Sequence, residues 1–116
     1  MTIHDQQAAF ARDIADLIMY ANHIGYTVTL GEAYRTPEQA ELNEKKGIGI
    51  KSSLHCDRLA MDLNLFKNGV YLPRSEDYKE LGIHWENLSE HNLWGGHFTG
   101  KLIDGNHFQR NKWKPN

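Results

Sequence analysis

The chain of 116 residues has one cysteine, Cys56, no long apolar run and no excess of charge of one sign. A single cysteine forms no internal disulfide, so the sequence leaves the redox compartment open. No stretch approaches the roughly 18 apolar residues that span a bilayer, which excludes stable membrane insertion. The formal net charge of −2 offers no basic surface. We therefore expect no nucleic-acid partner.

The composition is that of an ordinary folded protein, with 40% hydrophobic and 24% charged residues. The length suits one hydrophobic core, and the chain has no repeat, low-complexity tract or linker. We predict a single domain over residues 1–116, and a monomer. The N-terminus lacks the basic and apolar regions of a secretion signal, which predicts synthesis and folding in a cytoplasm.

Three helices are predicted from hydrophobic spacing and capping residues. Apolar side chains recur every three or four positions over residues 3–24, with Thr2 as the cap. A second helix starts after Thr36, where proline at the first position and Gln39 complete a capping box, and it ends near residue 46. Residues 75–77 cap a third helix that runs to about residue 88, although Gly82 disfavours it.

Alternating apolar residues predict the strands. Residues 26–30 form a short half-buried strand. After a loop over residues 47–53, residues 59–65 form a second strand, with large apolar side chains on one face and Asp62 on the other. Asn68 and Gly69 are typical of a tight hairpin turn that returns the chain over residues 70–72. The expected fold is α+β, a small antiparallel sheet with helices on one side.

The seven histidines are a rich complement for this length, and histidine is the commonest protein ligand for metals. His55 precedes the second strand, Asp62 lies on its polar face, and His107 is the best third candidate. Two imidazoles and a carboxylate without thiolates suit an open catalytic zinc site that retains a position for water. Since any histidine-rich chain offers such triplets, the spacing alone is equally compatible with histidines that bind no metal.

Two further residues are candidates on position alone. Asp104 lies three residues before His107, separated by a Gly-Asn pair that favours a tight turn. A carboxylate placed there could take a proton from water without binding the metal, as a general base does. His97 lies beside a Trp-Gly-Gly turn and is a candidate for lining the cleft.

Four segments resemble motifs of the LAS-type zinc peptidases, and they occur in the family's order from about residue 30 to 109. Segment 53–63 (SLHCDRLAMDL) is similar to the Ser-x-His-(six residues)-Asp signature of that family. Segment 34–39 (YRTPEQ) looks like the segment with the substrate-binding arginine. Segment 94–96 (WGG) and segment 104–108 (DGNHF) look like the motif before the last ligand and the base-and-ligand pair.

This resemblance implies a zinc ion bound by His55, Asp62 and His107. It also implies the LAS-type fold, which the Hedgehog signalling domain and the D,D-peptidases share. Asp104 is expected to be the catalytic base. Arg35 is expected to bind the substrate carbonyl and to stabilise the developing oxyanion.

The resemblance also suggests residues around the metal. Ser53 is expected to support the site or to touch the substrate, and Trp94 and His97 are expected to bind substrate. The sequence departs from the family at two positions, where Arg58 replaces the usual glycine and Gln109 replaces a common glutamate. The first departure leaves the detailed substrate specificity open.

The family includes D-alanyl-D-alanine carboxypeptidases, vancomycin-resistance dipeptidases and phage L-alanyl-D-glutamate endopeptidases, so the implied substrate is a peptidoglycan stem peptide. Without an evident export signal, we expect a phage endolysin of the endopeptidase type. Such an enzyme accumulates in the host cytoplasm and reaches the cell wall through a membrane-permeabilising partner.

Three alternatives remain from the sequence. One is a D-alanyl-D-alanine carboxypeptidase or dipeptidase. Another is a non-catalytic, zinc-containing module that binds the cell wall, although intact Asp104 and Arg35 oppose it. A metal-dependent nuclease is the third, and the acidic net charge opposes it.

Overall fold

A computed structural model describes residues 1–47 and 53–112, so most of the loop predicted over residues 47–53 lies outside the described residues. The elements in chain order are α1 (Ile3–His23), β1 (Thr27–Leu30), α2 (Pro37–Lys45), β2 (Ala60–Lys67), β3 (Val70–Tyr71), α3 (Lys79–Leu88), β4 (Asn92–Trp94) and β5 (His107–Arg110). Short 3-10 turns join several of them, including Leu54–Asp57 before β2. Among the described residues, no helix is long and apolar enough to cross a membrane.

The strands form one antiparallel sheet in the order β1-β2-β5-β4, and β3 pairs with the end of β2. Strand β2 is central because its first half pairs with β5 and its second half with β3. In this register Asp62 lies directly opposite His107. Directly opposed residues project from the same face of a sheet, so these two side chains are neighbours.

The hairpin predicted at Asn68 and Gly69 is confirmed. Both residues have positive φ, 53° and 79°, as the tight turn with two left-handed residues requires. The turn pairs Lys67 with Val70 and so fixes the register of β3 against β2.

The core lies between one face of the sheet and the helices α1 and α3, which confirms the predicted α+β architecture. Trp85 of α3 is fully buried, and its ring meets Phe10 of α1 and Phe108 of β5 edge to face. The other buried apolar residues of this cluster are Ile14, Leu17, Ala21, Leu59, Leu63, Leu65, Tyr78, Leu81 and Trp94. The opposite face of the sheet, which carries Asp62, is left for the site.

Three details of the prediction are wrong. Leu30 is 64% exposed, because β1 is an edge strand. Thr36 caps α2 through the backbone N–H of Gln39, but the Gln39 side chain bonds to Asn43 instead of closing a capping box. Ser75 does not cap a helix with its side chain. Its hydroxyl accepts a hydrogen bond from the backbone of Gly105 at 2.9 Å.

Gly82 lies within α3 despite its low helix propensity. A Cβ atom at this position would come within 2.1 Å of the Trp94 ring. The helix therefore contains a glycine because the indole of β4 packs directly on its backbone.

Candidate metal centre

The structure brings together His55, Asp62 and His107, the three predicted metal ligands. His55 comes from the 3-10 turn Leu54–Asp57, Asp62 from β2 and His107 from the start of β5. One nitrogen or oxygen atom from each side chain lies within 4.8 Å of the other two. Among residues 1–47 and 53–112, this is the one group of histidine, cysteine and acidic side chains with such geometry.

The carboxylate of Asp62 lies between the two imidazoles. Its Oδ1 atom is 3.3 Å from Nε2 of His55 and 3.2 Å from Nδ1 of His107. The two rings meet edge to face, with 5.0 Å between their centroids. His55 is 2% exposed and Asp62 is 21% exposed at its side chain, so the cluster opens to solvent mainly at the carboxylate.

The backbone of segment 31–35 forms hydrogen bonds with the residues of the site. Two hydrogen bonds of 2.8 and 2.9 Å join it to the backbone of Asp62, and the N–H of Arg35 donates to the carbonyl of His55 at 3.2 Å. The carbonyl of Ala33 lies 3.2 Å from Nδ1 of His55. Because a carbonyl only accepts, Nδ1 carries the proton, and the lone pair of Nε2 faces Asp62.

Ser53 supports this arrangement and is buried. Its hydroxyl accepts a hydrogen bond from the backbone N–H of His55 at 3.2 Å and so caps the 3-10 turn. The alternative expectation for Ser53, contact with substrate, finds no support in this position. The outer nitrogen of His107, Nε2, lies 2.8 Å from the side-chain oxygen of Gln109.

The donor set and its surroundings fit a metal ion. Each histidine uses its outer nitrogen for a fixed acceptor, which leaves the inner nitrogens of His55 and His107 as lone pairs directed at one oxygen of Asp62. Two lone pairs and a carboxylate oxygen that converge in this way are favourable around a cation. Imidazole and carboxylate donors, with outer hydrogen bonds that orient the rings, are typical of catalytic zinc sites.

The pKa values of the cluster follow its charges. Desolvation raises the pKa of Asp62. Without a metal, hydrogen bonds from His107 and His55 in their protonated, positively charged forms outweigh it and lower that pKa to about 2. For His55 desolvation lowers the pKa, and the hydrogen bond and charge of Asp62 outweigh it, so the net pKa is raised. Asp62 is thus ionised at neutral pH and available as a ligand.

Arg35 lies beside the cluster, paired with Glu32, a residue that the sequence analysis missed. An NH2 group of Arg35 bonds to Oε1 of Glu32, which raises the pKa of the guanidinium, and the same oxygen lies 3.8 Å from Nε2 of His55. The buried Nε of Arg35 has no hydrogen-bond partner among the described residues. Glu32 thus lies close to both the guanidinium of Arg35 and the ring of His55.

Asp104 is an exposed residue whose backbone is held by two hydrogen bonds. Its N–H donates to Gly95 at 3.0 Å, and its carbonyl accepts from the N–H of His107 at 3.1 Å. Desolvation and the charge of Asp62 raise the pKa of Asp104. A carboxyl with a raised pKa is a better proton acceptor at neutral pH than an ordinary one.

Trp94 does not line the site, and the expectation that it binds substrate is wrong. It is 4% exposed, and its Nε1 donates to the carbonyl of Gly105 at 2.7 Å. The indole packs in the core against Gly82, which leaves it no face for a ligand. Instead it anchors the turn that carries Asp104.

His97 is not among the clustered ligands. Its Nδ1 lies 2.9 Å from a carboxylate oxygen of Glu86 on α3, and its ring meets Trp94 edge to face. It is half exposed, and its neighbour Phe98 packs against the ring of His107. A contact of His97 with substrate therefore stays a prediction.

The backbone conformation at Arg58 is one that glycine adopts more easily, which accounts for the glycine usual at this position in the family. Its φ is 57°, in the left-handed region, where it ends the 3-10 turn of His55. Its guanidinium lies 4.0 Å above the ring of Tyr34, a cation–π contact.

Among comparisons with known proteins, only the comparison with solved structures gives matches. No family model matches the chain, and no curated protein sequence matches it. The L-Ala D-Glu endopeptidase ChiX of Serratia marcescens superposes with a TM-score of 0.69 at 19% identity, over 93% of this chain and 85% of that one.

A variant of the vancomycin-resistance D,D-pentapeptidase VanY, from a VanB-type resistance cassette and in complex with Zn(II), is a second match. Its TM-score is 0.58 at 17% identity, over 87% of this chain and 70% of that one. Identity at this level carries the fold, and both matches have the fold that the sequence motifs indicate. The chain has the LAS-type zinc-peptidase fold.

Proposed function

We propose that the protein is a zinc metallopeptidase that hydrolyses stem peptides of peptidoglycan. The observation that carries this proposal is the convergence of His55, Asp62 and His107 within 4.8 Å, on a fold shared with two peptidases. One of those proteins is an L-Ala D-Glu endopeptidase, and the other was solved with Zn(II). The acidic net charge opposes the nuclease alternative.

The proposed mechanism assigns one role to each group beside the ligands. His55, Asp62 and His107 would hold the zinc ion, which when bound would supply Lewis acidity for the activation of water and the polarisation of the scissile carbonyl. Asp104 accepts the proton of the attacking water, in keeping with its raised pKa. Arg35, whose guanidinium lies beside the cluster and is influenced by the charge of Asp62, donates to the oxygen on which negative charge develops.

Among stem-peptide bonds, we propose cleavage between L-alanine and D-glutamate. The match to the L-Ala D-Glu endopeptidase has the higher TM-score and covers more of both chains than the match to the D,D-pentapeptidase. Removal of a terminal D-alanine is the alternative substrate choice within the same mechanism.

The test is digestion of purified peptidoglycan with the zinc-loaded protein, followed by mass analysis of the released fragments. Stem peptides that begin with D-glutamate are the expected product, and an Asp104→Asn variant should release almost none. Release of D-alanine alone would favour the carboxypeptidase. No release by zinc-loaded protein would favour the non-catalytic binding module.

We further propose a role in phage-induced lysis, with a membrane-permeabilising partner that gives access to the cell wall. In bacteria that produce the protein in the cytoplasm, rapid lysis is expected after the inner membrane is permeabilised, and little before. Equal lysis with and without permeabilisation would contradict the need for such a partner.

A further inference from the structure

The side chain of Gln109 contacts the outer nitrogen of the His107 ring. Its side-chain oxygen lies 2.8 Å from Nε2 of His107. An amide oxygen only accepts, so Nε2 carries the proton. The lone pair of Nδ1 then faces Asp62, whose Oδ1 lies 3.2 Å away. The partner of the outer nitrogen thus determines that the inner nitrogen is a metal donor.

The orientation of the Gln109 amide is itself fixed. Its side-chain nitrogen donates to Oδ1 of Asn111 at 2.9 Å, so a flipped amide would place the Gln109 oxygen against the Asn111 oxygen, two acceptors in contact. The backbone is also anchored, because the carbonyl of Gln109 accepts from the indole of the buried Trp85 at 3.0 Å. Asn111 in turn is tied to the carbonyl of His91 through its N–H at 2.8 Å.

We propose that Gln109 is a positioning residue for the metal: it holds His107 as the Nε2–H tautomer, and Asn111 holds the Gln109 amide in the required orientation. The inference rests on the metal site of the proposed function. Outer hydrogen-bond partners of metal-bound histidines typically contribute about 10- to 100-fold in metal affinity or activity.

The first test measures zinc affinity by competition with a chelator. Gln109→Leu removes the acceptor while it retains the volume, and the expected result is a zinc affinity about 10- to 100-fold weaker. Gln109→Glu keeps an acceptor and makes the hydrogen bond charge-assisted, so its affinity should equal or exceed that of the wild type. Asn111→Ala should give an intermediate loss.

Gln39 offers a matched control. Like Gln109 it donates from its side chain to an asparagine, Asn43, but it does so on the exposed surface of α2. Gln39→Leu should leave zinc affinity unchanged. Gln109→Leu with affinity within twofold of the wild type would overturn the proposal, as would an equal loss in Gln109→Leu and Gln109→Glu.

The second test observes the tautomer directly in the metal-free protein, through the ¹⁵N chemical shifts of the His107 ring. The wild type should show a protonated Nε2 and an unprotonated Nδ1 in the neutral imidazole, and Gln109→Leu should show a mixture of tautomers. A neutral ring with the proton on Nδ1 in the wild type would refute the inference. Because this measurement needs no zinc, it separates failure of the inference from failure of the proposed metal site.

Discussion

Two sets of residues at the candidate site differ in how many hydrogen bonds their side chains already make. The ligand side is His55, Asp62 and His107, and the reactive side is Asp104 and Arg35. On the ligand side, His55 and His107 each hydrogen-bond through the outer nitrogen and face Asp62 with the inner one. On the reactive side, the side chain of Asp104 accepts no hydrogen bond within the described part of the chain. Arg35 is bonded to Glu32, but its Nε has no partner there.

The difference follows from the tasks proposed for the two sides. A metal ligand has to be oriented before the ion binds, because disorder in the ligands would lower the affinity. A proton acceptor and an oxyanion donor have to keep their capacity free for the substrate, and their backbone supplies the positioning. The backbone hydrogen bonds of Asp104 to Gly95 and His107 are an example.

Among variants of the reactive side, Asp104→Asn should show the largest loss of turnover. Since the amide cannot accept a proton, turnover should fall by about 10²- to 10⁴-fold while the zinc content stays at the wild-type value. Peptide release from peptidoglycan and elemental analysis measure the two quantities. Asp16→Asn on the exposed surface of α1 is the control. Near-normal turnover in Asp104→Asn would mean that another group is the base.

Arg35→Met is expected to reduce turnover by about 10²- to 10³-fold, the effect of removing one oxyanion donor. The zinc affinity should change far less, because Arg35 contacts Glu32 and not the metal-facing nitrogen atoms. Kinetic analysis should place the loss in kcat more than in KM. Arg12→Met on α1 is the matched control, and a loss confined to KM would argue for simple substrate binding.

Gly82→Ala tests the packing of Trp94, whose indole anchors the turn that carries Asp104. The new methyl group would overlap the Trp94 ring, whose Nε1 holds the turn after Asp104. We expect a decrease of about 1–3 kcal/mol in the free energy of unfolding, measured with urea. Asn87→Ala, at an exposed position of α3, should not destabilise. A Gly82→Ala variant more stable than the wild type would show that helix propensity outweighs this contact.

Glu32→Gln should have the smallest effect. Glu32 is partly exposed, and such ion pairs contribute roughly 0.2–1 kcal/mol, so turnover should fall by no more than about fivefold. The loss should vanish in an Arg35→Met background if Glu32 acts by orienting Arg35. A loss that persists there would instead indicate a direct effect of Glu32 on His55, 3.8 Å away.

The three ligands could be predicted from the sequence because they fall in motifs that resemble those of a known family, and two of them lie at fixed points of local structure. Alternation in β2 places Asp62 on the face opposite Leu63, and a turn before the strand supplies His55. The Asn68-Gly69 pair predicts the hairpin because few pairs of residues adopt positive φ angles at both positions.

What the sequence could not predict depends on contacts between distant segments. Glu32 reaches the site because segment 31–35 pairs with β2, which no local pattern indicates. Trp94 was assigned to the substrate because its motif adjoins the site, but its packing on Gly82 of α3 buries it. Ser75 likewise bonds to Gly105, 30 residues away, instead of capping a helix.

The most direct test of the account is the zinc content of the purified protein after dialysis, measured for the wild type, His55→Ala and Asp104→Asn, with circular dichroism to establish that each variant is folded. The account predicts one zinc per chain in the wild type and in Asp104→Asn, and almost none in His55→Ala. Undiminished zinc in folded His55→Ala, or its loss from Asp104→Asn, would contradict the division between a ligand side and a reactive side.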